Sequence, residues 1–207
     1  MMVISIAYLL LFLFTGILIA RRIFPDATAA LLLPLGSGYG LAILAAFPAL
    51  FALPFGFGRL AAAGAALLAL GVCLFALYGS RTFHNRPHDA DHGAMWLCLA
   101  PLLIVTFYLL HTHILHAVDG TLHTGQSCYG DLPMHLGFIE YIAQSGQFPP
   151  VYPLLGGDHR FGYPFLCETV SSIFRVLGAD RRTAYMLPMI PAVFTVFGMF
   201  WQLARRV

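Results

Sequence analysis

Lysine is absent from this 207-residue chain: all eleven basic side chains are arginine, and nine carboxylates stand against them. The net charge of +2 is too small, and too scattered between apolar runs, for a nucleic-acid-binding surface. Charge of either sign is scarce, at 10% of residues against about 25% in an ordinary globular domain. The first twenty residues lack the basic n-region of a secretory signal peptide. Arg21-Arg22 stand where its small-residue cleavage site would fall, so the segment reads as a retained membrane anchor. No Cys-x-x-Cys spacing occurs among the four cysteines.

What is abundant is apolar. Hydrophobic residues make up 59% of the chain, and a chain this short has too little interior to hide them from water. The excess must face lipid, in keeping with a mean hydropathy of +0.81. A helix needs about 20 apolar residues to cross about 30 Å of hydrocarbon. Val3–Ala20, Leu60–Tyr78, Ala94–Leu115 and Thr183–Leu203 satisfy that. Ala27–Phe55 is longer and carries Pro34, Pro48 and Pro54, so it reads as one kinked span or a broken one. Pro164–Leu177 is marginal, because Glu168, Ser171, Ser172 and Arg175 form a polar stripe that cannot face lipid. It either lines a protein cavity while crossing or lies at the interface, which leaves five or six spans. Arginine placement puts Arg21, Arg22, Arg81 and Arg86 in the cytoplasm and the long 116–163 segment outside. The expected organisation is therefore four N-terminal spans over 1–115, an external loop over 116–163, and a short helix plus a span over 164–207.

The external loop concentrates the chemistry. Within it Leu132–Gln144 reads as a short amphipathic helix, with Asp131 at its N-cap position. Asp131 and His135 are four apart and so share one face. A carboxylate beside an imidazole at the membrane surface can take a proton from a hydroxyl or hold a divalent cation. Equally, Asp131 can be a cap and His135 a solvated surface residue. Asp158-His159-Arg160 suits a phosphate head group, or is a solvated turn made by Gly156 and Gly157. His84, His88 and His92 recur every four residues, and His111, His113 and His116 cluster at the end of a span. Each trio is a zinc candidate weighed against ordinary loop or interfacial histidines. Gly36, Gly38 and Gly40 read as close helix packing rather than a phosphate cradle. Cys128 and Cys167 are either a disulfide or free thiols.

The stretch from Gly130 to Arg206 resembles the first external loop and following helices of GT-C fold membrane glycosyltransferases. The matching cues come in order: "YGDLPMH", "FIEYIAQSGQFPPVYP", then "FGYPFLCETVSSIFRVLGADRRTAYMLP". The resemblance implies an all-α polytopic bundle whose external loop carries short interfacial helices, corresponding to the N-terminal portion of a longer enzyme. It implies transfer of a sugar from a polyprenyl-phosphate-linked donor, outside the plasma (inner) membrane, to a glycan, lipid or protein acceptor. Asp131 would be the loop acid that activates or positions the acceptor, with a divalent metal cation in some members. His135, Asp158, His159, Arg160, Tyr163 and Glu168 would shape the donor and acceptor sites. Two other readings stand beside it. The histidines and polar stripe suit a transporter or metal-handling membrane protein, and the short chain suits an inactive scaffold or fragment.

Overall fold

The structure is a computed structural model that describes residues 2–78, 92–125, 128, 130–157 and 159–205, together with all their side chains but that of His92. Among these residues there are seven α-helices, a π-helical turn and one two-stranded hairpin. Helices α1 (Met2–Ile23), α2 (Ala29–Phe55) and α3 (Arg59–Tyr78) pack together first. Helix α4 (His92–Leu109) runs into the π turn (Leu110–Ile114) and then into strands β1 (Leu115–Val118) and β2 (Thr121–Thr124). Helices α5 (Asp131–Ser145), α6 (Leu166–Val176) and α7 (Arg181–Ala204) complete the chain order.

Five of these helical segments are long and apolar enough to cross a membrane: α1, α2, α3, Gly93–Ile114 and α7. The large side chains they leave exposed, such as Leu67, Phe75, Leu97 and Phe200, have lipid as their natural surroundings. The chain is a multi-span helical membrane protein. Helix α2 is one continuous element of 27 residues despite its three prolines. Proline is tolerated in such helices where a neighbour packs on the gap it leaves. Buried Pro34 does this closely, since a Cβ on Gly198 of α7 would fall 2.5 Å from its ring.

Small residues set the helix spacing. A Cβ on Gly16 of α1 would lie 2.2 Å from the backbone nitrogen of Gly40, and one on Gly36 would lie 2.6 Å from Cα of Ile17. The glycines of α2 thus serve two neighbours, because Gly38 meets Thr195 of α7 instead of α1. Some buried hydroxyls are satisfied within their own helix, as where Thr15 donates to the Leu11 carbonyl at 2.8 Å, and others across helices, as where Ser37 donates to the Pro191 carbonyl at 3.2 Å.

Helix α6 settles the marginal span. At 11 residues it is only about 16 Å long, half the hydrocarbon thickness. All seven residues from Glu168 to Phe174 are buried, so its polar stripe faces protein. Val170, Ile173 and Phe174 enter the core formed by Tyr8, Phe12, Leu44 and Ala65 of the first three helices. Among the described residues five helices are long and apolar enough to cross a membrane, and α6 is not one of them. One end of the bundle gathers the start of α1, the α2–α3 turn, the hairpin, α5, α6 and the start of α7. Contacts that tie it together include Tyr8 Oη to the Ala62 carbonyl at 3.1 Å and Phe57 N to the Gly146 carbonyl at 2.6 Å.

The described residues are mostly helical, as expected of an all-α bundle, and one short hairpin is added to the helices. Strands β1 and β2 pair antiparallel, Leu115 opposite Thr124 and Val118 opposite Thr121. Asp119 and Gly120 both have positive φ, 49° and 78°, the geometry of a tight hairpin turn. The Asp-Gly dipeptide was a readable turn signal, and Leu115, expected inside the fourth span, instead opens a strand.

Candidate functional site

The candidate site lies on the platform formed by α5 and α6 at one end of the bundle. Helix α5 is amphipathic: Leu132, Phe138, Ile139 and Ile142 are buried, and Asp131 is exposed. The expected cap role of Asp131 is not what is found. Gly130 is the N-cap residue, and Asp131 begins the first turn without a side-chain capping bond. Asp131 forms no hydrogen bond or ion pair among the described residues. A carboxylate in a first turn is favoured by the helix dipole, which suffices to explain its placement there.

His135 sits one turn on but pairs elsewhere. Its Nδ1 lies 2.6 Å from Oε1 of Glu168, which is only 7% exposed. Glu168 thus faces α5. Ser172, one turn further along α6, lies 3.0 Å from the Ile139 carbonyl and 2.8 Å from that of Glu168, which holds the two helices in register. The Cys167 thiol approaches the same Glu168 oxygen at 3.5 Å. Partial burial of the thiol, followed by the negative charge of Glu168, pushes it above its ordinary range.

Aromatic rings wall this pair. Tyr163 packs edge-on to the His135 imidazole at 5.6 Å, and Phe138 does so at 6.2 Å. Phe161 stands perpendicular to Phe138 at 4.7 Å and continues the cluster to Phe165. Tyr163 itself remains 41% exposed, which leaves part of its ring open to a ligand.

A second ionic cluster lies further along α5. Glu140 accepts from Arg175 Nε at 2.6 Å and from Arg181 Nε at 3.1 Å. Burial alone would raise the Glu140 carboxyl, but the two guanidinium groups outweigh it and hold the group below its ordinary value. Arg175 also donates to the Ala179 carbonyl. A groove of about 390 Å³ opens beside Glu140 and Arg181, between α5 and the hairpin, with Leu122, Thr124 and Leu136 on its walls. At the start of α7, Asp180 caps the helix through Thr183 N at 2.9 Å. Arg182 reaches back to the Leu115 carbonyl at 3.0 Å and to His111 Nδ1 at 2.7 Å.

The other expected residues are more dispersed. His159 and Arg160 are exposed on a turn whose backbone pairs Val151 with Arg160 and Tyr152 N with the His159 carbonyl. That is the solvated Gly156-Gly157 turn, and no described contact joins it to His135 or Glu168. Asp158 lies outside the described residues, as do His84, His88 and the side chain of His92. His116 and His123 stack across the hairpin at 5.6 Å, while His111 pairs with Arg182. Among the described residues no three His, Cys, Asp or Glu side chains converge as metal ligands. Asp131 belongs to no such group among the described residues. All four cysteines are free thiols, and Cys167 is exposed rather than buried.

Sequence reasoning missed the Glu140–Arg175–Arg181 cluster and the Arg182 clasp. Their partners are 35, 41 and 67 residues apart, beyond any local pattern. No family model, no curated protein and no solved structure matches this chain.

Proposed function

We propose that this chain is a GT-C type membrane glycosyltransferase, or its N-terminal part, that transfers a sugar from a polyprenyl-phosphate donor outside the plasma membrane. The observation that carries the reading is Asp131: an exposed carboxylate with no described partner, on a surface helix anchored to a bundle of apolar spans. The sequence resemblance supplies the reaction class, and the architecture is compatible with it. A polyprenyl chain needs apolar surface within the bilayer. A groove of about 330 Å³ between α1, α2 and α7, walled by Leu13, Ile17, Leu33, Ile190 and Phe194, offers it.

The arginine distribution supports the orientation. Arg21 and Arg22 lie at the end opposite the platform, where Arg22 Nη2 donates to the Phe75 carbonyl at 3.2 Å. On the platform, Arg175 and Arg181 share the single carboxylate of Glu140. The Arg21-Arg22 pair at a span end favours that end as cytoplasmic, which leaves the platform outside.

In the transfer, an acceptor hydroxyl attacks the anomeric carbon of the donor, and the polyprenyl phosphate leaves. Asp131 engages the acceptor, as proton acceptor or by orienting the hydroxyl. His159 and Arg160, on their exposed turn, are the candidates to meet the charge of the leaving phosphate. The test is transfer of labelled sugar from polyprenyl-phosphate donors in membranes containing the protein, wild type against Asp131→Asn. Loss of transfer at equal membrane abundance is expected. Retained transfer removes Asp131 from the chemistry, and no transfer by wild type with any donor overturns the reading.

A further inference from the structure

We infer that His135 is the base that deprotonates the acceptor hydroxyl, with Glu168 as the residue that positions it. The inference rests on the glycosyltransferase reading and reassigns the proton-accepting role within it, leaving Asp131 to orient the acceptor. Three observations carry it.

The first is the pairing. A carboxylate can only accept a hydrogen bond, so the 2.6 Å contact from Glu168 Oε1 fixes the proton of neutral His135 on Nδ1. The other nitrogen, Nε2, then carries the free lone pair, and no described residue bonds to it. An imidazole held in one tautomer by a carboxylate is the arrangement that general-base histidines use on many unrelated folds.

The second is the contrast in burial. The Glu168 side chain is 7% exposed and His135 is 26% exposed, so the carboxylate is kept from water while the imidazole can be reached from outside. A base needs an accessible atom and a fixed support, and this pair supplies both. Asp131 lacks any such support among the described residues. The nearby Cys167 thiol donates toward the same Glu168 oxygen, which keeps that oxygen an acceptor.

The third is the partly open ring of Tyr163 beside the imidazole. Aromatic faces stack on the C–H faces of sugars, so the pair is suited to a carbohydrate hydroxyl. The step balances as follows. His135 Nε2 takes the hydroxyl proton, the oxygen forms its bond to the anomeric carbon, and the bond from that carbon to phosphate breaks. Its electron pair leaves with the phosphate, and the imidazolium formed is stabilised by the Glu168 carboxylate.

The experiment measures transfer in membranes for wild type, His135→Gln, Glu168→Gln and Glu168→Asp across a pH series. His135→Gln is expected to lower kcat by on the order of 100-fold or more, leave KM for the acceptor within about threefold, and abolish the acidic limb of the pH–rate profile. Glu168→Gln lowers kcat, and Glu168→Asp restores part of it. In parallel, ¹⁵N NMR of the detergent-solubilised wild type should show His135 protonated at Nδ1. This readout does not depend on any variant folding. Transfer by His135→Gln with its acidic limb intact, or a proton found on Nε2, overturns the inference while leaving the glycosyltransferase reading standing. Absence of transfer in wild type sinks both.

Discussion

Glu140 of α5 and Arg175 of α6 form a two-pronged ion pair, Nε to Oε1 at 2.6 Å and Nη2 to Oε2 at 3.1 Å. Both prongs lie on the same helix pair as His135 and Glu168, five and seven residues further along their respective helices. The ion pair therefore helps to fix the helix spacing on which the His135–Glu168 contact depends.

Its pH dependence has a defined sign. Arg175 and Arg181 overcome the effect of burial and depress the Glu140 carboxyl in the folded state. A depressed acid stabilises the fold above its unfolded value, about 4.3, and that stability is lost as pH falls through the lower folded value. Glu140→Gln should cost about 2 kcal/mol at neutral pH, since the Glu140 side chain is only 13% exposed. Thermal unfolding in detergent from pH 7 down to pH 3 checks this: the gap between wild type and variant should narrow below about pH 4.5. A gap that stays constant over that range rules out the ionic account.

The α1–α2 contact should be intolerant of a single methyl group. Gly16→Ala would bring Cβ to 2.2 Å from the Gly40 backbone nitrogen, which forces the helices apart. The expected loss is about 1–3 kcal/mol, with a lowered melting temperature in detergent. Gly71→Ala on α3 meets nothing within 4 Å and is the control. Equal melting of the two variants would mean that the helices do not approach so closely.

The platform is moored at Gly56. This residue has φ 75° and ψ 164°, a region essentially restricted to glycine, and a Cβ there would lie 2.7 Å from the Gly146 carbonyl oxygen. Gly56→Ala should cost about 1–3 kcal/mol and loosen α5 before the spans. Hydrogen exchange read over Asp131–Ser145 checks it, with Gly58→Ala as a neutral comparison because no atom lies within 4 Å of its Cβ. Unchanged exchange in the Gly56 variant would show that the α2–α3 turn does not moor α5.

Much of the helical framework was legible. Expected bounds such as Leu60–Tyr78 and Leu132–Gln144 fall within a residue of α3 and α5, because apolar runs and amphipathic periods are local properties. The hairpin was passed over although Asp119-Gly120 marked it, since four-residue strands leave little alternation to read. Asp131 was identified as a helix-start residue, yet its place one position inside the helix depends on backbone geometry at Gly130.

By itself the sequence determined that the chain must be a multi-span membrane protein, because apolar content and charge scarcity act through the solvent and need no knowledge of contacts. It also determined that the polar stripe of Glu168, Ser171, Ser172 and Arg175 could not face lipid. Only the tertiary structure decided where that stripe goes. It joined Glu168 to His135 rather than leaving His135 beside Asp131, and Arg175 to Glu140. The physical reason is separation: these pairs are 33 and 35 residues apart. Such partners are selected by which buried charge can be satisfied once α5 and α6 have docked, a condition that no local pattern encodes.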